Sequence, residues 1–133
     1  MNRSMKYLLA LMLALLLPLT AVAQLEKPMT ETAKIEALIA SVQHLPGAVF
    51  IRNGSEHDAV RAADHLRLKW KNVGKRVKTA EDFIRLCATG SSMSGKKYQI
   101  RFADGRTVDS AQYLHEQLRR IETGTAKPTV VRH

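Results

Sequence analysis

Val49-Phe50-Ile51-Arg52-Asn53-Gly54-Ser55-Glu56-His57-Asp58 is the stretch on which the fold turns. Ala48 to Arg52 is a short β-prone run, and Asn53-Gly54 ends it with the strongest two-residue hairpin signal. Both central positions of a type I′ turn need positive φ, which Asn and Gly tolerate well. Ser55 to His57 is then the return strand. Asp58 follows as an N-cap, its short carboxylate able to accept from the first free helical N–H groups. The helix it starts runs to about Val73, with an inward stripe of Ala59, Ala62, Ala63, Leu66, Trp70 and Val73.

The same order recurs downstream. Tyr98 to Phe102 reads as a strand, Asp104-Gly105 as a turn and Arg106 to Val108 as the partner strand. Asp109 then caps a last helix carrying Ala111, Leu114, Leu118 and Ile121. Gly54 and Gly105 are 51 residues apart, as are Asp58 and Asp109. Other identities are few and the apolar stripes drift by a residue, so the likeness supports two hairpin-plus-helix units better than an ancestral duplication. The two hairpins can pair into a small antiparallel sheet covered by helices. The expected class is therefore α+β, with about four helices and two short β-hairpins.

Two further helices flank the first unit. Thr30 is an N-cap, and Ile35, Leu38, Ile39, Val42 and Leu45 form one stripe that Pro46-Gly47 terminates. Gly74 stops the second helix, and Lys75 to Lys78 is a basic connector. Thr79 caps a third helix, with Asp82 at N3 and Glu81 in the first turn. Phe83, Ile84, Cys87 and Ala88 share one face, which marks the lone cysteine as a small core residue rather than a nucleophile. It cannot staple the fold, so stability rests on packing.

The ends carry an address. Arg3 and Lys6 precede a Leu-rich run from Tyr7 to Leu17, Pro18 breaks it, and Ala21-Val22-Ala23 offers small residues to a signal peptidase. That layout predicts a secretory signal peptide over residues 1–23. The run is too short for a comfortable transmembrane helix, which needs roughly 20 apolar residues. Residues 24–29 read as a flexible leader, 30–122 as one compact domain and 123–133 as a polar tail. Cleavage after Ala23 leaves 110 residues and lowers the formal charge from +9 to +7. A basic protein outside the cytoplasm is drawn to anionic partners such as lipopolysaccharide, cell-wall polymers or acidic proteins. Aromatic residues are too sparse for a base-stacking platform, so specific nucleic-acid recognition is not expected.

A longer series carries a family resemblance. Phe50-Ile51-Arg52-Asn53-Gly54, Glu56-His57, Ala63, His65-Leu66-Arg67 and Lys69 are followed by Thr79-Ala80-Glu81-Asp82-Phe83-Ile84, Ser91-Ser92, Ser94-Gly95-Lys96 and Tyr98. This series resembles the YfeK-like family of small secreted bacterial proteins, a domain of unknown function, from about Ile35 to Ile121. The resemblance implies an envelope protein, periplasmic in a Gram-negative bacterium. It brings no activity and no catalytic residues.

Four groups are candidates for chemistry. Glu56, His57, Asp58 and His65 supply imidazoles and carboxylates of the kind that ligate zinc. The two histidines are eight apart, however, where a helical zinc pair needs four. The loop Ser91-Ser92-Met93-Ser94-Gly95-Lys96-Lys97 offers hydroxyls, a Gly and lysines to an anion, although its Gly spacing is not that of a phosphate-binding loop. No Gly-x-Ser-x-Gly elbow is present for serine hydrolysis. Basic residues gather around the second helix at Arg61, Arg67, Lys69, Lys71, Lys75, Arg76 and Lys78. Arg67 and Lys71, four apart, can face one polyanion, while Asp64 dilutes the patch. Arg52 can clamp a carboxylate or phosphate, or pair with Glu56 across the hairpin.

The leading expectation is a non-catalytic periplasmic or secreted module that binds an anionic envelope component or an acidic protein. Its candidate binding residues are Arg52, Glu56, His57, His65, Arg67, Lys71, Ser92, Ser94, Gly95 and Lys96, with no cofactor and no metal. One alternative is a metal-assisted or acid–base enzyme using His57, His65 and Glu56. Another is an inhibitor or chaperone of an envelope enzyme, which needs an exposed hydrophobic patch.

Overall fold

The computed structural model describes residues 27–124. The expected signal peptide over 1–23, the start of the leader at 24–26 and the tail from 125 onward lie outside the described residues. The element order is α1 (Glu31–Gln43), β1 (Val49–Arg52), β2 (Ser55–His57), α2 (Ala59–Val73), α3 (Ala80–Phe83), β3 (Gln99–Arg101), β4 (Thr107–Asp109) and α4 (Ser110–Glu122). A short 3-10 turn, Gly74–Arg76, follows α2, and α3 runs on into a π turn at Ile84–Ala88. The α+β architecture is the one the sequence predicts.

The hairpin signal is realised at its dihedrals. Asn53 has φ 51° and Gly54 φ 77°, and Arg52 pairs directly with Ser55. The second hairpin is looser, with Arg101 opposite Thr107 and five residues between them. The two hairpins join through their inner strands, giving one antiparallel sheet of order β2-β1-β3-β4. Register places His57 opposite Phe50, Phe50 opposite Ile100, and Ile100 opposite Val108. Alternation along each strand then puts this row on the face the helices cover. Phe50 and Ile100 are buried, whereas Glu56 and Gln99, from the neighbouring row, are exposed.

The apolar stripes meet beneath that row. Ile35, Leu38, Ile39 and Val42 of α1, Ala63 and Leu66 of α2, and Tyr113, Leu114 and Leu118 of α4 are buried in one cluster with Phe50 and Ile100. Fully burying a side chain such as Leu or Ile is worth about 1.5–3 kcal/mol. Phe83, Ile84, Cys87 and Ala88 also lie in this core, each at 0 % exposure. Their wide face is accommodated by the π turn, where Thr89 Oγ1 donates to Ile84 O at 2.8 Å. Cys87 is thus a core residue, as its position predicts.

Three caps act as expected. Thr30 accepts from Ala33 N, Asp58 from Arg61 N, and Thr79 with Asp82 forms a reciprocal capping box. Asp109 occupies the N-cap position of α4 but makes no capping bond. Its carboxylate instead accepts from Lys97 Nζ at 3.0 Å, because a nearby ammonium offers a stronger partner than a neutral N–H.

Candidate anion-binding cleft

The tip of the first hairpin, the polar side of α2 and the loop after the π turn converge on one cleft of about 610 Å³. That volume falls within the range that holds small ligands. Arg52 comes from β1, and His65, Lys69 and Asn72 come from α2, with Arg76 in the 3-10 turn that follows it. Asn53 and His57 come from the hairpin, Ser91 and Ser92 from the loop, and Tyr98 from the position just before β3. No Asp or Glu lines it. Among the described residues, Arg52, Lys69 and Arg76 have no carboxylate partner. Three cations thus share a concave wall with no counter-charge of the protein's own.

The centre of the cleft is a bonded chain. Arg52 Nη1 donates to His65 Nδ1. That bond fixes the tautomer, so His65 Nε2–H points at Tyr98 Oη, 3.3 Å away. Lys69 Nζ donates to the same phenol oxygen at 3.2 Å and to Gly90 O at 2.9 Å. Tyr98 Oη therefore accepts twice, leaving its own proton to donate. Burial, followed by the charges of Arg52, Lys69 and His57, pulls the His65 pKa from 6.5 to about 4. His65 is consequently neutral near pH 7, a spacer between cations rather than a further charge.

The hairpin tip is tied to the loop. Ser94 Oγ donates to Asn53 Oδ1 at 2.6 Å, and Asn53 Nδ2 approaches Ser91 Oγ at 3.4 Å. The loop also bonds to itself, with Gly95 N donating to Ser91 O and Ser91 N to Lys96 O, both at 2.9 Å. Gly95 holds φ 70°, a conformation glycine adopts without strain.

Of the residues singled out in the sequence, Arg52, His57, His65 and Ser92 line the cleft. Ser94, Gly95 and Lys96 do not line it: Ser94 is bonded to Asn53, and Gly95 and Lys96 are bonded to Ser91. Arg67 and Lys71 lie outside it: Arg67 is bonded to Asp64 at 3.2 Å and to Gln43 at 2.7 Å, and Lys71 is exposed. Glu56 does not pair with Arg52. Its row lies on the opposite sheet face, where its carboxylate accepts from Arg101 at 2.6 Å. The two imidazoles thus share a cleft without the carboxylate that the acid–base arrangement requires. Among the described residues no three His, Cys, Asp or Glu side chains are grouped as metal ligands. Exposed Met29, Val60, Leu68 and Met93 come from three separate segments.

Sequence reasoning counted Lys69 and Arg76 only as general basic density and gave Asn72 and Tyr98 no role in a site. The signal was partly present: His65, Lys69 and Asn72 fall at i, i+4 and i+7, one polar stripe along the helix, whereas Arg76 lies beyond Gly74, where the helix has ended.

Residues 29–122 match the family model described as "Family of unknown function (DUF5329)". The chain belongs to this family. It is also 39% identical over 94 residues to the uncharacterized protein YfeK of Salmonella typhimurium, covering 71% of this chain and 77% of that one. No solved structure matches. Among the described residues no helix is long and apolar enough to cross a membrane.

Proposed function

We propose that this protein is a non-catalytic binding module for an anion bearing phosphate or carboxylate groups, held in the cleft between the first hairpin, α2 and the Ser91–Lys96 loop. We place it in the periplasm or outside the cell, on the strength of the leader-like N-terminal sequence. One observation carries the binding role: Arg52, Lys69 and Arg76 face a common cleft with no carboxylate on its walls. Unpaired cations on a concave surface focus a positive potential and raise the local anion concentration. The guanidinium groups give paired donors matched to phosphate or carboxylate oxygens, and the neutral donors Ser92, Asn72 and Tyr98 add direction.

Calorimetric titration of the purified protein with inorganic phosphate and pyrophosphate tests this role. Saturable binding that weakens with added salt is expected, as ion screening requires. Arg52→Gln and Arg76→Gln should each weaken it by about tenfold, the scale of one charge-assisted bond. Arg67→Ala with Lys71→Ala should leave it within about twofold, since exposed charges outside a site contribute little. Loss of affinity only in the Arg67/Lys71 double variant would overturn the cleft assignment.

A further inference from the structure

A bare phosphate fills little of the cleft. Its five heavy atoms need at most about 150 Å³, taking the roughly 30 Å³ that liquid water gives each oxygen. The cleft holds about 610 Å³. On the same scale a hexose phosphate, with sixteen heavy atoms, needs at most about 480 Å³. The walls say what the remainder suits. Beyond the three cations stand the amides of Asn53 and Asn72 and the hydroxyls of Ser55, Ser91 and Ser92. Amides and hydroxyls both donate and accept. Sugar hydroxyls do the same, whereas further phosphate oxygens only accept and a hydrocarbon body does neither. The side chains of Ser55, Asn72 and Ser92 are exposed and make no hydrogen bond to other described residues, so all three can meet a ligand. Tyr98 gives a flat apolar group no stacking face. Lys69 Nζ stands over its ring at 5.0 Å from the centroid, His65 meets it near edge-on, and Tyr98 is only 8 % exposed.

The charge count separates phosphate from carboxylate. Arg52, Lys69 and Arg76 exceed the single charge of a carboxylate, whereas a phosphate monoester brings about −1.5 to −2 and three acceptor oxygens near pH 7. Arg52 and Lys69 keep donors beyond those bonded to His65, Tyr98 and Gly90. We propose that the ligand of this cleft is a phosphorylated sugar. Its phosphate lies against Arg52, Lys69 and Arg76, and its hydroxylated ring against Ser55, Asn72 and Ser92. The proposal rests on the cleft reading above and narrows it to an anion with a hydroxylated body. A free sugar phosphate and the phosphorylated end of a glycan share this chemistry.

Calorimetry of the purified protein tests it with ligands that vary charge and hydroxyls separately. Glucose 6-phosphate should bind about tenfold more tightly than inorganic phosphate, the scale of two net hydrogen bonds. Cyclohexylmethyl phosphate has the same ring size and charge without the hydroxyls, and should gain less than about threefold, short of one net bond of average strength. Glucuronate keeps the hydroxyls on a single carboxylate charge and should bind about tenfold more weakly than glucose 6-phosphate. Ser55→Ala with Asn72→Ala, both on exposed side chains, should bring the advantage of glucose 6-phosphate over phosphate toward unity. Trehalose 6-phosphate separates the sources: retained affinity supports a glycan end, and lost affinity supports a free sugar phosphate. Equal binding of glucose 6-phosphate with either inorganic phosphate or cyclohexylmethyl phosphate would overturn the sugar assignment and leave the cleft reading standing. Glucuronate matching glucose 6-phosphate would overturn the phosphate assignment. Failure of every anion to bind, inorganic phosphate included, would remove both readings.

Discussion

Arg52 and His65, thirteen residues apart in the chain, meet through a hydrogen bond from the guanidinium to the imidazole Nδ1. The bond joins the first hairpin to α2 and sets a fixed cation beside a titratable ring. It makes the cleft electrostatically readable from one histidine.

Arg52→Gln should therefore raise the His65 pKa from about 4 while leaving it below 6.5, since burial is the larger cause of its depression. The ring proton resonances of His65, followed by NMR against pH, check this. A bound anion near Arg52 and Lys69 should act in the same direction by cancelling their field. Phosphate should then bind with proton uptake, and more tightly as pH falls through the interval from 6.5 toward 4. Identical His65 titrations with and without phosphate would contradict this coupling.

The same depressed pKa bears on stability. A histidine that resists protonation when folded but accepts it freely when unfolded contributes its full stability above pH 6.5. It loses that contribution as pH falls from 6.5 toward 4. The loss should be on the order of 2 kcal/mol after allowance for solvent screening. Urea unfolding at the two ends of this interval measures it. His65→Gln should largely abolish the difference, and an unchanged pH dependence in that variant would assign the loss to other groups.

Cys87 should be inert until the protein unfolds. Burial pushes its thiol pKa up, against the smaller opposing pull of Lys69 and Arg76. A thiol reagent at mildly alkaline pH should fail to label the native protein and should label it fully in concentrated guanidinium. Rapid native labelling would contradict its placement on the buried face of the π turn.

Gly90 forms part of the floor on which Lys69 rests. A Cβ there would sit 2.7 Å from the backbone oxygen of Lys96, and backbone cannot yield as a flexible side chain would. Gly90→Ala should destabilise the protein by about 1–3 kcal/mol, the scale of overpacking. Displacement of the Gly90 carbonyl should also release Lys69 and weaken anion binding. Denaturant unfolding and calorimetry of the one variant measure both effects.

The local elements were legible because their signals are local. Asn53-Gly54, the Asp58 cap and the Thr79/Asp82 box each draw on a few neighbouring residues, and the stripe of α1 repeats at helical spacing. The pairing of the two hairpins was legible too, since an isolated two-stranded ribbon is marginal and seeks a partner edge. The π turn at Ile84–Ala88 was hidden, because it answers the core around Phe83 and Cys87 rather than any local residue preference. Asp109 was misread as an acting cap because Lys97, twelve residues away, engages its carboxylate first. The cleft was only half visible. Arg67 and Lys71 satisfied a spacing rule, yet Asp64 and Gln43 hold Arg67 elsewhere. Tyr98 reaches His65 and Lys69 across about 30 residues of chain, through a contact that helical spacing cannot reveal.

Amide chemical-shift mapping during a phosphate titration is the most direct test of the cleft as an anion site. The expected result is a saturable set of shifts confined to Arg52, Asn53, His65, Lys69, Arg76 and the Ser91–Lys96 loop, with the Arg67 and Lys71 amides unmoved. Shifts spread weakly over the exposed lysines without saturation, or centred on Arg67 and Lys71, would contradict it.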